Sequence, residues 1–271
     1  MTIKSTLIKY VFYPIISILA VVFTLLLIVL FQDVSPDQQL EWQTGSKVYR
    51  NLDSEFFATK FDSLYEEYGQ LKVLPEGYEL QALIALSMYP ELKDVKITFE
   101  FVPIFAPLES NFDIPTLIRS GKNRTYRILL SNDSTTFFKD ALFTDMPFDA
   151  QVAMLTHELG HTVYYHQLNL FQIGRWCLNY VVSQKFQDKH ESDTDRMVIH
   201  RGLGWQLYES SSFFINHFAS MRGESPTNLP TEAEINDDDE NDTYLDRDDI
   251  LDAMREIPAY QSTLESFDKK L

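Results

Sequence analysis

Cysteine occurs once in the 271 residues, at Cys177, which excludes an intramolecular disulfide framework and any zinc site built on paired cysteines. Within FQIGRWCLNYVV it reads as a small buried hydrophobe. Positive charge is also scarce: 23 Lys and Arg stand against 40 Asp and Glu, giving a net charge of −17 and a pI near 4.7. Such a chain lacks the basic patch that nucleic-acid phosphates require, so no nucleic-acid partner is expected. The acidity also disfavours binding of its polar part to an anionic membrane surface, and it serves solubility. What is present is 45% hydrophobic residues, enough for one sizeable core.

Residues 10–31, YVFYPIISILAVVFTLLLIVLF, are 22 uncharged positions. As a helix they would rise about 33 Å, enough to cross a hydrocarbon core. No short apolar core with a small-residue cleavage site is evident, so the run reads as an uncleaved transmembrane signal anchor. Lys4 and Lys9 precede it and no basic residue follows until Lys47. By the positive-inside rule, residues 1–9 are then a cytoplasmic tail and the bulk of the chain is extracytoplasmic. Residues 32–50, with Pro36, read as a tether.

The main domain is expected over 51–222. Phe56, Phe57, Phe61, Leu64, Tyr65 and Tyr68 recur at helical spacing in 52–70, and a second helix runs from Glu79 to Tyr89 before Pro90. The period then changes. Val95, Ile97, Phe99 and Phe101 alternate with Lys96, Thr98 and Glu100, as a half-buried strand does, and residues 125–133 form a second strand. Downstream, LNLFQIGRWCLNYVVSQKF is interrupted by Gln172, Arg175, Asn179 and Gln184, so it reads as a core helix rather than a span. Residues 205–222 form another helix. The acidic, Pro-containing stretch 223–249 reads as a solvated loop; its Asp237, Asp239, Asn241 and Asp248 only loosely follow a calcium-loop spacing. A terminal helix closes the chain within 247–271. Asn123, Asn132 and Asn241 fit the glycosylation-acceptor pattern.

The chemistry concentrates in PFDAQVAMLTHELGHTVYYH. His157 and His161 are four apart, so on a helix they leave one face about 40° apart. Two imidazoles so placed can grip one metal ion, while Glu158 sits beside them where a carboxylate can take a proton from water. Asp149 after Pro147 is a candidate helix cap, and Ala150, Val152, Ala153, Leu155, Leu159 and Val163 make the helix largely apolar. Gly160 costs helix propensity, so its small size needs a packing reason. The plain alternative is a pair of core histidines with an incidental Glu.

A catalytic zinc takes three protein ligands. In KHESDTDRMVIHRGLGW, Glu191 and Asp195 again stand one turn apart. Here the chain resembles the gluzincin metallopeptidases, with the Asp-Arg and Gly-Leu-Gly similar to membrane-associated members of the prenyl-protease and heat-shock-protease type. That resemblance covers roughly residues 145–205. It implies a zincin-like α+β fold and one zinc ion per chain, with ligands His157, His161 and Glu191. Glu158 is then the general base and Asp195 the residue orienting a ligand imidazole. Asp193 and His190 are rival third ligands, and a third histidine six residues after His161 is excluded because position 167 is Gln. The Thr/Ser-His-Pro segment common after the third ligand in those relatives is reduced to Ser225-Pro226.

By the same resemblance an edge strand beside the metal pairs with an extended peptide, and residues 125–131 are the candidate, an interior strand being the alternative. His200 ranks ahead of His166 and His217 as an oxyanion donor. The expectation is a membrane-anchored zinc peptidase acting on a peptide or protein. The alternatives are an inactive zincin-like binding protein or a structural membrane-tethered module.

Overall fold

The computed structural model describes residues 13–31, 47–133, 135, 138, 140–221, 223 and 244–269. Its helices are α1 (Tyr13–Phe31), α2 (Ser54–Ala58), α3 (Phe61–Leu64), α4 (Glu79–Ser87), α5 (Phe148–Gln167), α6 (Leu170–Val182), α7 (Gln184–Val198), α8 (Gly204–Met221), α9 (Arg247–Arg255) and α10 (Gln261–Asp268). Its strands are β1 (Lys72–Val73), β2 (Lys96–Val102), β3 (Leu108–Phe112) and β4 (Thr125–Ser131). The expected α+β class is therefore corrected: the architecture is mostly helical (66%) with one small sheet. The strands are two to seven residues long, too short to form a layer comparable with the helices around them.

The expected transmembrane anchor over residues 10–31 is also corrected. The helix there covers 19 residues, and at 1.5 Å each it rises about 28 Å against a hydrocarbon core of about 30 Å. Among the described residues, no helix is long and apolar enough to cross a membrane. The single-pass topology, with a cytoplasmic N-terminus and an extracytoplasmic domain, loses its support with that span. The tail 1–9, residues 32–46 of the tether and most of the acidic stretch, with its calcium-loop positions 237–241, lie outside the described residues.

The sheet runs β1-β2-β4-β3, parallel except for β3, which lies antiparallel to β4 with Leu108 opposite Leu130. Both expected strands form, but β4 is interior, between β2 and β3. The candidate edge at 125–131 is thus corrected to β3. Alternation carries Ile97 and Phe99 of β2 and Tyr126, Ile128 and Leu130 of β4 into the core against Leu155, Leu159 and Val163 of α5. Val152 and Ala153 of the same helix belong to a second core, shared with Trp205 and Leu207 of α8 and Ile250, Met254, Tyr260 and Leu264 beyond it. Helix α5 is buried on every side between the two cores, as its near-continuous apolar sequence requires.

Local chemistry sets the boundaries. The aromatic segment 52–70 breaks at Thr59, whose hydroxyl donates to the Phe56 carbonyl, giving α2 and α3 instead of one helix. Pro258, which has no amide proton, splits the terminal helix into α9 and α10. Asp149 is not the cap of α5, which starts after Pro147. Its carboxylate accepts the Leu52 amide at 3.0 Å and Gln206 Nε2 at 3.0 Å, tying the entering chain and α8 to α5. The turn from α7 to α8 needs a glycine at 202: φ is +93°, and a Cβ would meet the Lys47 carbonyl at 2.1 Å. Cys177 is half-buried against the sheet-side core.

Candidate metal centre

Helix α5 presents His157 and His161, and α7 crosses it to present Glu191. Gly160 sets how closely they approach. A Cβ there would lie 2.9 Å from Thr194 Cγ2 and 3.2 Å from Tyr89 Oη, so any larger residue would push α7 away. All three donors are buried. His157 Nε2 lies 3.0 Å from His161 Nε2 and 3.1 Å from Glu191 Oε2, and His161 Nε2 lies 3.2 Å from the same oxygen. Four ligands at 2.0–2.1 Å from a tetrahedral zinc are separated by about 3.3 Å, so this triangle has the size of one face of that tetrahedron.

The surrounding hydrogen bonds bear on how these three side chains could hold a cation. His157 Nδ1 is 2.8 Å from Asp195 Oδ1, a carboxylate that only accepts, so the ring proton sits on Nδ1 and Nε2 keeps its lone pair. His161 Nδ1 is 3.0 Å from His190 Nε2 and 3.4 Å from Thr194 Oγ1. The Thr194 proton is committed to the His190 carbonyl at 2.8 Å, so that oxygen faces His161 as an acceptor. With His161 donating through Nδ1, its Nε2 also keeps a lone pair. In these neutral tautomers two imidazole lone pairs and a carboxylate oxygen converge on one point. The group is able to hold a metal ion.

Electrostatics agree. On Glu191, burial opposes the charge, yet the His161 and His157 imidazoles hold its carboxyl well below the usual carboxylate range. On His157, burial works against protonation, but Asp195 and Glu191 outweigh it and raise the imidazole above its ordinary value. A metal therefore displaces a proton on binding. His190 is pushed down to about 3 by burial and by His161 beside it, so it stays neutral. Burial raises Glu158 above the ordinary carboxylate value, against the pull of His161 and His157.

Of the residues expected from sequence, His157, Glu158, His161, Glu191 and Asp195 come together. His190 joins them as a support for His161 rather than as a ligand. Asp193 turns outward, pairing with Lys189. His200, expected as an oxyanion donor, sits in the α7–α8 turn, where Arg196 and Glu256 are its charged neighbours, and is not among the residues lining the cavity beside Glu158. His166 packs on Tyr126 and His217 on Phe218.

Three tyrosines that no sequence motif marks also border the site. Tyr180 Oη donates to Glu191 Oε1 at 2.6 Å, and the Tyr165 ring stacks on His161 at 6.1 Å between centroids. The Tyr244 ring lies 5.7 Å from that of His157. Tyr180 lies on α6 and Glu191 on α7, so no single-helix period links them, and Tyr244 follows the acidic stretch. No protein-family model matches this chain, and no curated protein or solved structure compared with it is similar.

Proposed function

We propose that this chain is a zinc-dependent peptidase of the gluzincin type, hydrolysing peptide bonds with Glu158 as general base. The observation that carries the reading is the convergence of two imidazole nitrogens and a carboxylate oxygen beside a buried carboxylate that is not among them. A zinc ion bound to His157, His161 and Glu191 would polarise a substrate carbonyl and acidify water. Glu158 takes the proton from the attacking water and returns it to the leaving amine. Its raised pKa suits both acts, because a more basic carboxylate accepts and holds a proton better. Asp195 fixes the tautomer and angle of His157, and His190 does the same for His161. Strand β3 starts beside the cavity that contains Glu158 and, among the described residues, has no partner on its outer side. An extended substrate adding there would be held by main-chain bonds beside the base.

The test is zinc content and peptide hydrolysis of the full chain. The wild type should hold one zinc, Glu191→Ala should lose it, and Glu158→Gln should keep it with turnover lowered about 10²- to 10⁴-fold. A folded wild type that takes up no zinc, or unchanged turnover in Glu158→Gln, overturns the reading.

A further inference from the structure

A cavity of about 470 Å³ opens directly off the centre, with His157, Glu158 and Asp195 in its wall. This is within the range of specific small-molecule sites, roughly 300–1,000 Å³. Its other walls come mainly from separate parts of the chain, with Phe138 and Ile250 of α9 completing them. Helix α8 contributes Phe214 and Phe218, the segment leading into β3 contributes Pro107 and Leu108, and residues 244–246 form a strap across the remaining side.

Among the described residues, the carboxylates on its wall are Glu158, Asp195 and Asp246, and no lysine or arginine reaches it. Away from the metal centre, an acidic side chain would find no counter-charge among the described residues. Of the carboxylates, Glu158 is committed to the reaction and Asp195 is already engaged, holding His157 with one oxygen and the Leu245 amide with the other, at 3.0 Å. Asp246 accepts the Asp249 amide at 2.7 Å to start α9. What the space offers a guest is aromatic and aliphatic surface.

We propose, resting on the peptidase reading above, that this cavity is the specificity subsite and takes one large apolar side chain next to the scissile bond. Continuity with β3 supports this occupant over a free small molecule. Leu108 is both the first residue of the edge strand and part of the cavity wall, so a peptide extended along β3 passes its mouth. The strap also ties the subsite to the metal centre. Asp195 orients His157 and anchors Leu245 with the same carboxylate, so the wall and the metal ligand are fixed together.

The experiment uses the zinc-loaded full chain and a peptide series in which the positions flanking one bond carry Phe, Leu, Ala, Asp or Lys. At one flanking position Phe or Leu should exceed Ala by at least about tenfold in kcat/KM, with Asp and Lys below Ala; one buried methylene contributes a factor of this kind. Phe214→Ala enlarges the space and should move the preference towards the larger side chain. Ser211→Phe, half-buried on the cavity wall, should lower the Phe substrate about tenfold and spare the Ala substrate. Cleavage without an apolar preference, or a preference that neither folded, zinc-loaded variant moves, overturns the subsite. No cleavage of any peptide by the zinc-loaded wild type instead overturns the peptidase reading, and the subsite with it.

Discussion

The two histidines leave one face of α5 a turn apart, yet the regions behind them are built on opposite principles. Behind His161 lies a packed aromatic cage. His190 is enclosed by Tyr164 at 4.9 Å, Trp176 at 5.2 Å and Phe186 stacked at 6.3 Å, and Tyr165 covers His161 itself. The support there is a neutral imidazole. Behind His157 the support is a carboxylate, and on that side the structure opens into the cavity closed by the 244–246 strap. The closed side can only hold, because it offers a substrate no space. The open side can hold and also respond to what binds, since Asp195 touches both the ligand histidine and the cavity wall.

The largest separation of the two sides should come from Asp195→Asn. An amide has one acceptor oxygen and a donor group, so it cannot accept from both His157 Nδ1 and the Leu245 amide. Zinc affinity should fall about 10- to 100-fold, the range for loss of a partner behind a ligand. The preference for Phe over Ala peptides should shrink as well. Competitive chelation and the peptide series read the two effects separately, and an unaltered preference would break the link between strap and centre.

The open side also sets a pH dependence. Glu158 acts as a base only when ionised, and burial raises its pKa above the ordinary value of about 4.3, with His161 and His157 opposing the rise. Raised means that the ionised fraction is lost at a higher pH as the solution is acidified. In the zinc-free chain the Glu158 carboxyl, followed by NMR, should therefore titrate above the ordinary carboxylate range, and zinc should bring it down. A value at or below that range without zinc would show Glu158 to be well solvated and the cavity floor wet.

On the closed side His190→Phe is the matching probe. Phenylalanine suits the aromatic cage but gives His161 Nδ1 no acceptor, leaving Thr194 Oγ1 at 3.4 Å as the alternative. Zinc affinity should drop about tenfold, at the low end for such partners, with peptide preference unchanged. A changed preference would mean that the two sides are not separate.

Much of the metal centre, where the two sides meet, is legible in the amino-acid sequence. The four-residue spacing of His157 and His161, the same spacing of Glu191 and Asp195, and the helix-costing Gly160 are local signals. All of them meet in one helix-on-helix contact. Strands β2 and β4 are legible by alternation for the same reason. The open side is not. Strand β3, Leu-Glu-Ser-Asn-Phe, has no clean period, so the edge role falls on β4, whose central position depends on a pairing no local pattern encodes. The subsite joins Leu108, Phe214 and Tyr244, far apart in sequence and alike only in being apolar. Pro258 is a readable break, and one continuous terminal helix is the wrong expectation across it. The uncharged run at 10–31 gives a helix over Tyr13–Phe31 where one is expected, but among the described residues no helix is long and apolar enough to cross a membrane.

The smallest effect belongs to Tyr180. Its hydroxyl is the donor to Glu191 Oε1, the carboxylate oxygen turned away from the two histidines, and it receives Gln187 Nε2 at 3.5 Å. Tyr180→Phe removes that donor while keeping the ring against Trp176 at 4.9 Å. A hydrogen bond to a charged acceptor contributes about 1.5–3 kcal/mol when nothing replaces it. Tyr180 is only half-buried, however, so water can take over part of the bond, and Oε2 stays aimed at the centre. Zinc affinity should fall less than tenfold, below either Asp195→Asn or His190→Phe, with turnover at saturating zinc close to wild type. A loss as large as that of Asp195→Asn would place Tyr180 among the groups that fix the third ligand, and the closed side would then depend on a phenol as much as on its histidine.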